Sequence, residues 1–151
     1  MTTLRASTEI HRPAAAVWPL LADYDVDPRW RHGVRTMSPE PRGPVAVGTR
    51  TAEELRFGGR TYRNDGEVVE VEPGRAFRWR TTSGVAATGT RTLTAIDANR
   101  CVVRLETRLS PRGMDRVVVL LFGWLLRRTL GDDLRRFRVL AESVATGTPR
   151  E

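Results

Sequence analysis

Between residues 50 and 109 the chain alternates apolar and polar residues with a period of two, and short turn motifs interrupt the alternation. The turn motifs are Gly58-Gly59, Pro73-Gly74, Ser83-Gly84 and the segment 97–100. Alternation of this kind predicts strands with one buried face, and the short turns predict that successive strands pair antiparallel.

Two of these turns predict the strand register and therefore the two faces of the sheet. With Gly58-Gly59 as a two-residue hairpin loop, Leu55 faces Tyr62 and Arg50 faces Glu67. With Pro73-Gly74 as the next loop, Glu67 faces Arg80, Val68 faces Trp79 and Glu70 faces Phe77. Opposite charges aligned across strands favour a solvent face for Arg50, Glu67 and Arg80. The other, inner face then carries Thr51, Glu53, Leu55, Phe57, Tyr62, Asn64, Val68, Glu70, Phe77, Trp79 and Thr81.

The last hairpin is treated in the same way, with Asp97 to Arg100 as its turn. Arg91 then faces Glu106 on the outer side, and Thr92 faces Leu105 on the inner side. This register gives an inner surface with many threonine hydroxyls. Such a surface is more typical of a small-molecule pocket than of a pure core, because each buried polar group needs a hydrogen-bond partner.

Helical patterns flank the strand region. Residues 4–12 read as a strand, Pro13 then begins a helix that runs to Ala22, and Asp27-Pro28 begins a second short helix. A long helix is predicted from about Asp115 to Ser143. Its inward stripe is predicted to contain Leu120, Gly123, Arg127, Leu130, Leu134, Phe137 and Ala141. Gly123 either leaves space for a cavity or kinks the helix, and Arg127 points either into the cavity or to solvent.

Composition limits the class of protein. The 151 residues predict one domain, 1–146, followed by a disordered tail at 147–151. All 25 basic residues are arginine, which excludes a lysine-based P-loop or Schiff base, and the net charge is +7. Because the arginines are interleaved with acids along the chain, a basic surface is favoured over nucleic-acid binding. The start of the chain has no apolar signal segment and the single cysteine permits no internal disulfide, so we expect a cytoplasmic protein with no transmembrane segment.

No metal or cofactor is expected. The sequence "DYDVDP" imitates the start of a calcium loop, but Pro28 stands where that loop needs glycine and Val34 where it needs an acid. His11 and His32 are the only histidines and have no metal-ligand spacing.

Several motifs together resemble one known superfamily. They are "P-x-x-x-V-W-x-L-L-x-D" from Pro13, "RW" at 29–30, "VGTR" at 47–50, "GEVVEVEPGRAFRW" at 66–79 and the closing "LRRTLGDDLRRFRVLAES". The chain is similar over nearly its whole length to the START-like (SRPBCC) superfamily, and within it to proteins of the polyketide cyclase/dehydrase type. The resemblance implies an α+β helix-grip fold. In that fold a curved antiparallel sheet of about seven strands surrounds the long C-terminal helix, two short helices follow the first strand, and a cavity lies between sheet and helix.

Three functions remain open at this stage. The first is binding of a hydrophobic polyketide- or lipid-like molecule. The second is a polyketide cyclase, aromatase or dehydratase that uses Glu53, Tyr62 and Asn64 for acid/base chemistry and orientation. The third is an accessory protein that acts through protein or membrane contacts, which the amphipathic segment "RVVVLLFGWLLRR" suggests. The predicted ligand-binding residues are Trp30 at the cavity mouth, Thr51, Leu55, Phe57, Val68, Phe77, Trp79, Thr81, Thr92, Leu105, Gly123 and Arg127. The oligomeric state is left open.

Overall fold

The computed structural model describes residues 1–146, with side chains to residue 143, so the predicted tail at 147–151 lies outside the described residues. One antiparallel sheet makes up most of the fold. Its seven strands are β1 (Thr2–Ile10), β2 (Val34–Glu40), β3 (Arg50–Phe57), β4 (Arg60–Glu72), β5 (Ala76–Ser83), β6 (Ala87–Asp97) and β7 (Arg100–Leu109). Two α-helices, α1 (Ala14–Leu21) and α2 (Met114–Thr146), and a 3-10 helix (Tyr24–Arg29) complete it.

The sheet order is β1-β7-β6-β5-β4-β3-β2. Strands β2 to β7 pair with their neighbours in sequence, and β1 joins the far edge beside β7. The sheet curls around the long helix α2, which lies against β1. This arrangement confirms the predicted α+β helix-grip fold.

The two short helices follow β1 as expected, but the second begins earlier than predicted. Pro13 immediately precedes α1, where its missing N–H costs no helical hydrogen bond. The 3-10 helix then begins at Tyr24, because the Asp23 carboxylate caps it by accepting from the Asp25 N–H at 2.9 Å. Asp27-Pro28 therefore lies inside this helix and does not begin it.

Two apolar clusters hold the layers together. The first joins β1, α1, β6 and β7 to the second half of α2, and its centre includes Ile10, Leu93 and Phe137. The second joins β2, β4 and β5 around Phe77 and Tyr24. Trp18 of α1 packs against both clusters, so they form a continuous interior. Burial of each large apolar side chain contributes about 1.5–3 kcal/mol, which makes these clusters the main source of stability.

The register of the β3–β4 hairpin agrees with the sequence. Leu55 pairs with Tyr62 and Arg50 with Glu67, and on the next strand Glu67 pairs with Arg80 and Val68 with Trp79. Arg80 and Glu67 form an ion pair on the outer face. The predicted Glu70–Phe77 pair is wrong. A bulge between Val68 and Glu70 places Val71 opposite Phe77, so Glu70 lies outside beside Arg78 at 3.7 Å.

The predicted register of the β6–β7 hairpin is also wrong. The turn is where the sequence places it, since Asp97 pairs with Arg100, but a bulge between Ala95 and Asp97 shifts every earlier pair by one residue. Because a one-residue slip exchanges the two faces, Arg91 pairs with Leu105 and is buried. Thr92 pairs with Arg104 instead, on the outer side of the sheet.

The inward stripe of α2 is correct in its second half and displaced in its first. Leu134, Phe137 and Ala141 are buried as predicted, whereas Leu120 is 82% exposed. Val119 and Leu126 face inward in the first half instead. Residues 117–126 are apolar on nearly every side, so periodicity alone does not choose the buried face.

Candidate ligand-binding site

A cavity lies between the concave face of the sheet and the first half of α2. Its volume is about 200 Å³, and it is partly open to solvent. Strands β3 to β7 form its floor and walls, α2 closes one side, and Met37 of β2 and Tyr24 of the 3-10 helix complete it. The apolar lining comes from Met37, Leu55, Phe57, Trp79, Val85, Ala87, Leu109, Val118, Val119 and Leu126.

Eight of the residues singled out from the sequence line this cavity. They come from the β3–β4 hairpin and from the part of β5 whose pairing with β4 was predicted correctly, because alternate residues of a strand share one face. These eight are Thr51, Glu53, Leu55, Phe57, Tyr62, Asn64, Trp79 and Thr81.

Four others are buried in the core beside the cavity and are not part of its lining. Trp30, predicted at the mouth, is fully buried, because the 3-10 helix ends just before it and turns its ring against Phe137 with centroids 5.0 Å apart. Val68, Phe77 and Leu105 are buried in the two apolar clusters.

The remaining three also lie outside the lining. Thr92 is on the outer side of the sheet, because the bulge between Ala95 and Asp97 exchanges the two faces of β6. Arg127 is exposed to solvent. Gly123 is buried with open space where a Cβ would stand, next to Phe122, whose backbone angles depart from helical values (φ −116°, ψ 16°).

A chain of charged groups runs from the core to the cavity, and sequence reasoning missed most of it. Buried Arg91 donates to the Asp27 carboxylate at 2.9 Å and to the Leu21 carbonyl at 3.0 Å. Arg31 in turn donates to Asp27 at 3.2 Å and to Glu53 at 2.8 Å. Two arginines and two carboxylates thus alternate, so the group as a whole carries no net charge.

Glu53 ends this chain at the cavity wall. Its Oε2 accepts from Arg31 and its Oε1 accepts from the Asn64 side-chain amide at 3.3 Å. The side-chain oxygen Oδ1 of Asn64 accepts from the Val85 N–H at 3.0 Å, which ties the network to the loop between β5 and β6. Burial alone would lower the pKa of Arg31, but the Glu53 and Asp27 carboxylates raise it above its usual value, so Arg31 stays cationic.

Aromatic rings surround the inner end of the network. The Arg91 guanidinium lies 4.8 Å from the ring centre of Tyr24, 5.1 Å from that of Trp30 and 5.3 Å from that of Phe77. Such contacts compensate in part for removing the cation from water. Burial raises the pKa of Tyr24 well above its usual value, against the opposing effect of Arg91, so its phenol remains protonated in the cavity wall.

The sequence held no direct indication of Arg91 and only a weak one of Arg31. The bulge that turns Arg91 inward has no compositional signature. Arg31 lies in the motif "RWRH" and is the fourth residue after Asp27, a spacing that favours contact on a helix.

Neither a metal site nor a membrane-spanning helix is found in the described part of the chain. Within residues 1–146 no three His, Cys, Asp or Glu side chains are grouped so that they could hold a metal ion. No helix in that range has both the length and the apolar character needed to cross a bilayer.

A curved antiparallel sheet packed around a long helix, with a cavity between them, defines a START-like protein. The sequence matches a family model over residues 1–142, and the chain belongs to that family, described as polyketide cyclase/dehydrase and lipid transport. No curated protein sequence matches the chain.

Solved structures agree on the fold. The Zhui aromatase/cyclase from Streptomyces sp. R1128 is 16% identical with a TM-score of 0.80, and the match covers 93% of each chain. A protein from Thermus thermophilus is 18% identical with a TM-score of 0.76, covering 97% of this chain and 100% of that one. A START superfamily protein from Mycobacterium smegmatis is 9% identical with a TM-score of 0.68, covering 97% of this chain and 99% of that one.

Proposed function

We propose that this protein binds a small, largely apolar, polyketide- or lipid-like molecule in the cavity under α2. The observation that carries the proposal is the lining itself, in which ten apolar side chains lie around a hydrogen-bonded polar group formed by Arg31, Glu53 and Asn64. This composition is typical of small-molecule sites, where apolar contact gives affinity and a few polar groups give orientation.

The size and charge of the cavity favour one kind of ligand. An apolar cavity of about 150 Å³ is enough for benzene, so the volume of about 200 Å³ suits a compact ring system whose remainder extends through the open side. Arg31 and Glu53 already neutralise each other. The polar part of the lining therefore suits a neutral carbonyl or hydroxyl group, which Tyr62, Thr51 and Asn64 can meet with hydrogen bonds.

Tryptophan fluorescence tests the proposal. Trp79 lines the cavity, whereas Trp30 lies in the core, so titration with a panel of aromatic polyketides, fatty acids and sterols should give a saturable change that the Trp79→Phe variant loses. Leu55→Trp should fill the cavity and abolish binding. Arg56→Trp, the next residue on β3 and exposed to solvent, is the matched control. A folded protein that gives no saturable response to any compound would contradict the proposal.

A second candidate is catalysis in the same cavity, as a polyketide cyclase, aromatase or dehydratase. It is favoured by the presence of Glu53, Tyr62 and Asn64 in one cavity lining, where Asn64 donates to Glu53 and Tyr62 lies two residues before Asn64 on the same face of β4. In this role Glu53 would accept a proton, Asn64 would orient it and Tyr62 would donate to a substrate carbonyl. The Arg31 contact opposes this role, since it occupies one of the two Glu53 oxygens that would accept the proton.

The Glu53→Gln variant distinguishes catalysis from simple binding. Loss of proton transfer should lower kcat by about 10²–10⁴-fold on a poly-β-ketone substrate, with KM little changed. Glu54→Gln is the matched control, because Glu54 is the next residue on β3 and pairs with Arg63 of the neighbouring strand β4. Turnover by Glu53→Gln at the wild-type rate would rule out this role and leave Glu53 as the partner of Arg31.

A further inference from the structure

The first half of α2 is apolar on two opposite sides. Its inner side carries Val118, Val119 and Leu126 into the cavity wall. Its outer side carries an apolar stripe of Val117, Leu120, Leu121 and Trp124. Helical spacing of three and four residues puts the first three on one face, and Trp124 follows just beyond the irregular residue Phe122. All four are exposed, Leu120 by 82% and Trp124 by 61%.

A solvent-exposed stripe of this kind requires an explanation. Helices that face water normally carry polar residues on their outer side, and a contiguous exposed apolar patch marks an interaction surface. Met114 and Phe122 are also exposed and extend the patch beyond the stripe. Val139, in contrast, is an isolated exposed apolar residue in the second half of the helix, which is ordinary for a protein surface.

Positive charge frames the stripe at both ends. Arg112 and Arg116 stand at the start of the helix, and Arg127 and Arg128 follow the stripe, all exposed. Between residues 112 and 131 the only acid is Asp115. It faces the cavity and forms an ion pair with Arg60 at 3.5 Å, so no carboxylate of this segment offsets the four arginines.

We propose that the first half of α2 is a docking surface for an anionic lipid bilayer. The helix lies in the plane of the headgroups, with the stripe inserted at the boundary of the acyl chains and the four arginines against lipid phosphates. A basic amphipathic helix with an aromatic residue on its apolar face binds membrane surfaces in this way, through buried apolar area together with electrostatic attraction. The net charge of +7 of the whole chain adds to that attraction.

A second copy of the chain is a poorer occupant of the stripe. Two-fold pairing brings the same patch of each copy together, so arginines would meet arginines. The segment offers no free carboxylate to pair with them, because Asp115 faces inward. Charge complementarity therefore selects an anionic partner.

Docking would place the cavity beside the bilayer. The same turns of α2 form the stripe on one side and the cavity wall on the other, and the helix departs from regular geometry within this segment, at Phe122. An apolar molecule leaving the membrane would then meet the cavity without crossing bulk water. The docking surface itself is independent of which ligand the cavity takes.

Vesicle co-sedimentation of the full chain tests the proposal. The protein should pellet with vesicles of phosphatidylcholine mixed with phosphatidylglycerol, should pellet little with phosphatidylcholine alone, and should be released by high salt. Leu120→Glu combined with Trp124→Glu should weaken partitioning by about tenfold or more, because charged side chains resist insertion. Val139→Glu on the same helix is the matched control and should bind like the wild type.

The charge contribution is tested separately. Arg127→Gln combined with Arg128→Gln should weaken binding to the anionic vesicles by roughly tenfold or more and reduce its salt dependence. The control is Arg56→Gln with Arg104→Gln, two exposed arginines on the outer side of the sheet. Unchanged circular dichroism and Tm would establish that all variants are folded.

Three results would overturn the proposal. One is failure of the folded wild type to bind anionic vesicles. Another is equal binding by the stripe variant and the Val139→Glu control. The third is a stable dimer in solution that Leu120→Glu dissociates, since a second copy would then cover the stripe.

Discussion

At the scale of single residues, the buried pair of Arg91 and Asp27 connects core and cavity. Asp27 has no exposed surface and Arg91 retains 5%. Asp27 also accepts from Arg31, so one carboxylate holds two guanidinium groups in place. A buried pair contributes little compared with apolar residues of the same shape, but breaking it leaves an unpaired charge in the core.

The Asp27→Asn variant should therefore be strongly destabilised. Asparagine keeps the shape of the side chain but removes the negative charge, and loss of one member of a buried ion pair costs about 3–5 kcal/mol. Urea unfolding followed by tryptophan fluorescence measures the change. The control is Glu106→Gln, which removes the partner of exposed Arg5 and should change stability little. Equal losses in the two variants would contradict the assigned difference in burial.

The same residues show how far sequence reasoning reaches. The Gly58-Gly59 turn fixes the β3–β4 register. Because alternate side chains of a strand share one face, the register predicts that Leu55, Tyr62 and Asn64 face the cavity. Arg91 was placed on the wrong face because a bulge adds one residue without any change in composition. Local pattern therefore predicts the walls of the cavity but not the ionic network, which depends on contacts between residues 64 positions apart.

At the scale of elements, the contact between β5 and β6 depends on a glycine. Gly89 pairs with Trp79, and a Cβ built at Gly89 would lie 2.3 Å from the Trp79 ring and 2.8 Å from the Glu106 carbonyl oxygen. Absence of a side chain at Gly89 therefore lets the Trp79 ring pack closely against the backbone of β6, where it forms part of the cavity lining.

Gly89→Ala should disturb both stability and the cavity. The added methyl group must displace the Trp79 ring, and overpacking of this kind costs about 1–3 kcal/mol. Trp79 fluorescence should change in the absence of ligand, and ligand affinity should fall. Spectra and affinity identical to the wild type would show that the ring does not rest on Gly89.

Gly131→Ala is the control for Gly89→Ala, and we expect it to raise stability where Gly89→Ala lowers it. Gly131 lies within α2 and its added Cβ would meet nothing within 4 Å. Since alanine is the better helix former by about 1 kcal/mol, this variant should be slightly more stable than the wild type. A loss of stability would indicate a contact at Gly131 that the structure does not contain.

Helix α2 also shows where hydrophobic periodicity no longer identifies the buried face. The second half of α2 alternates apolar and charged positions, so Leu134 and Phe137 were predicted to be buried and are. The first half is apolar all round, so the sequence could not distinguish Val119, which faces the cavity, from Leu120, which is exposed. The same ambiguity concealed the exposed stripe.

At the scale of the whole molecule, a single interior links all elements. Trp18 belongs to the margin of both apolar clusters, and one uninterrupted sheet underlies them. Neither cluster can lose its packing without exposing part of the other. The described chain should therefore unfold as one cooperative unit, as single domains of this size usually do.

Coincident unfolding curves are the expected outcome. Far-ultraviolet circular dichroism reports sheet and helix together, and tryptophan fluorescence reports all four tryptophans, of which Trp30 is fully buried in the core. Both should give one urea midpoint for the ligand-free protein, and a bound ligand should raise that midpoint without splitting the curve. Two separated midpoints would mean that the half of α2 against the cavity unfolds before the rest.

The pairing of β1 with β7 sets the timing of folding during synthesis. Thr2 pairs with Leu109 and Ile10 with Cys101, so β1, which is made before β7, has no strand partner until β7 has been made. At a translation rate of about 5–20 residues per second, β1 waits on the order of 5–20 s. During that interval β1 is an unpaired strand, which is prone to aggregation, and the sheet formed by β2 to β6 has an uncovered edge at β6. The nascent chain should therefore depend on ribosome-associated chaperones until β7 emerges.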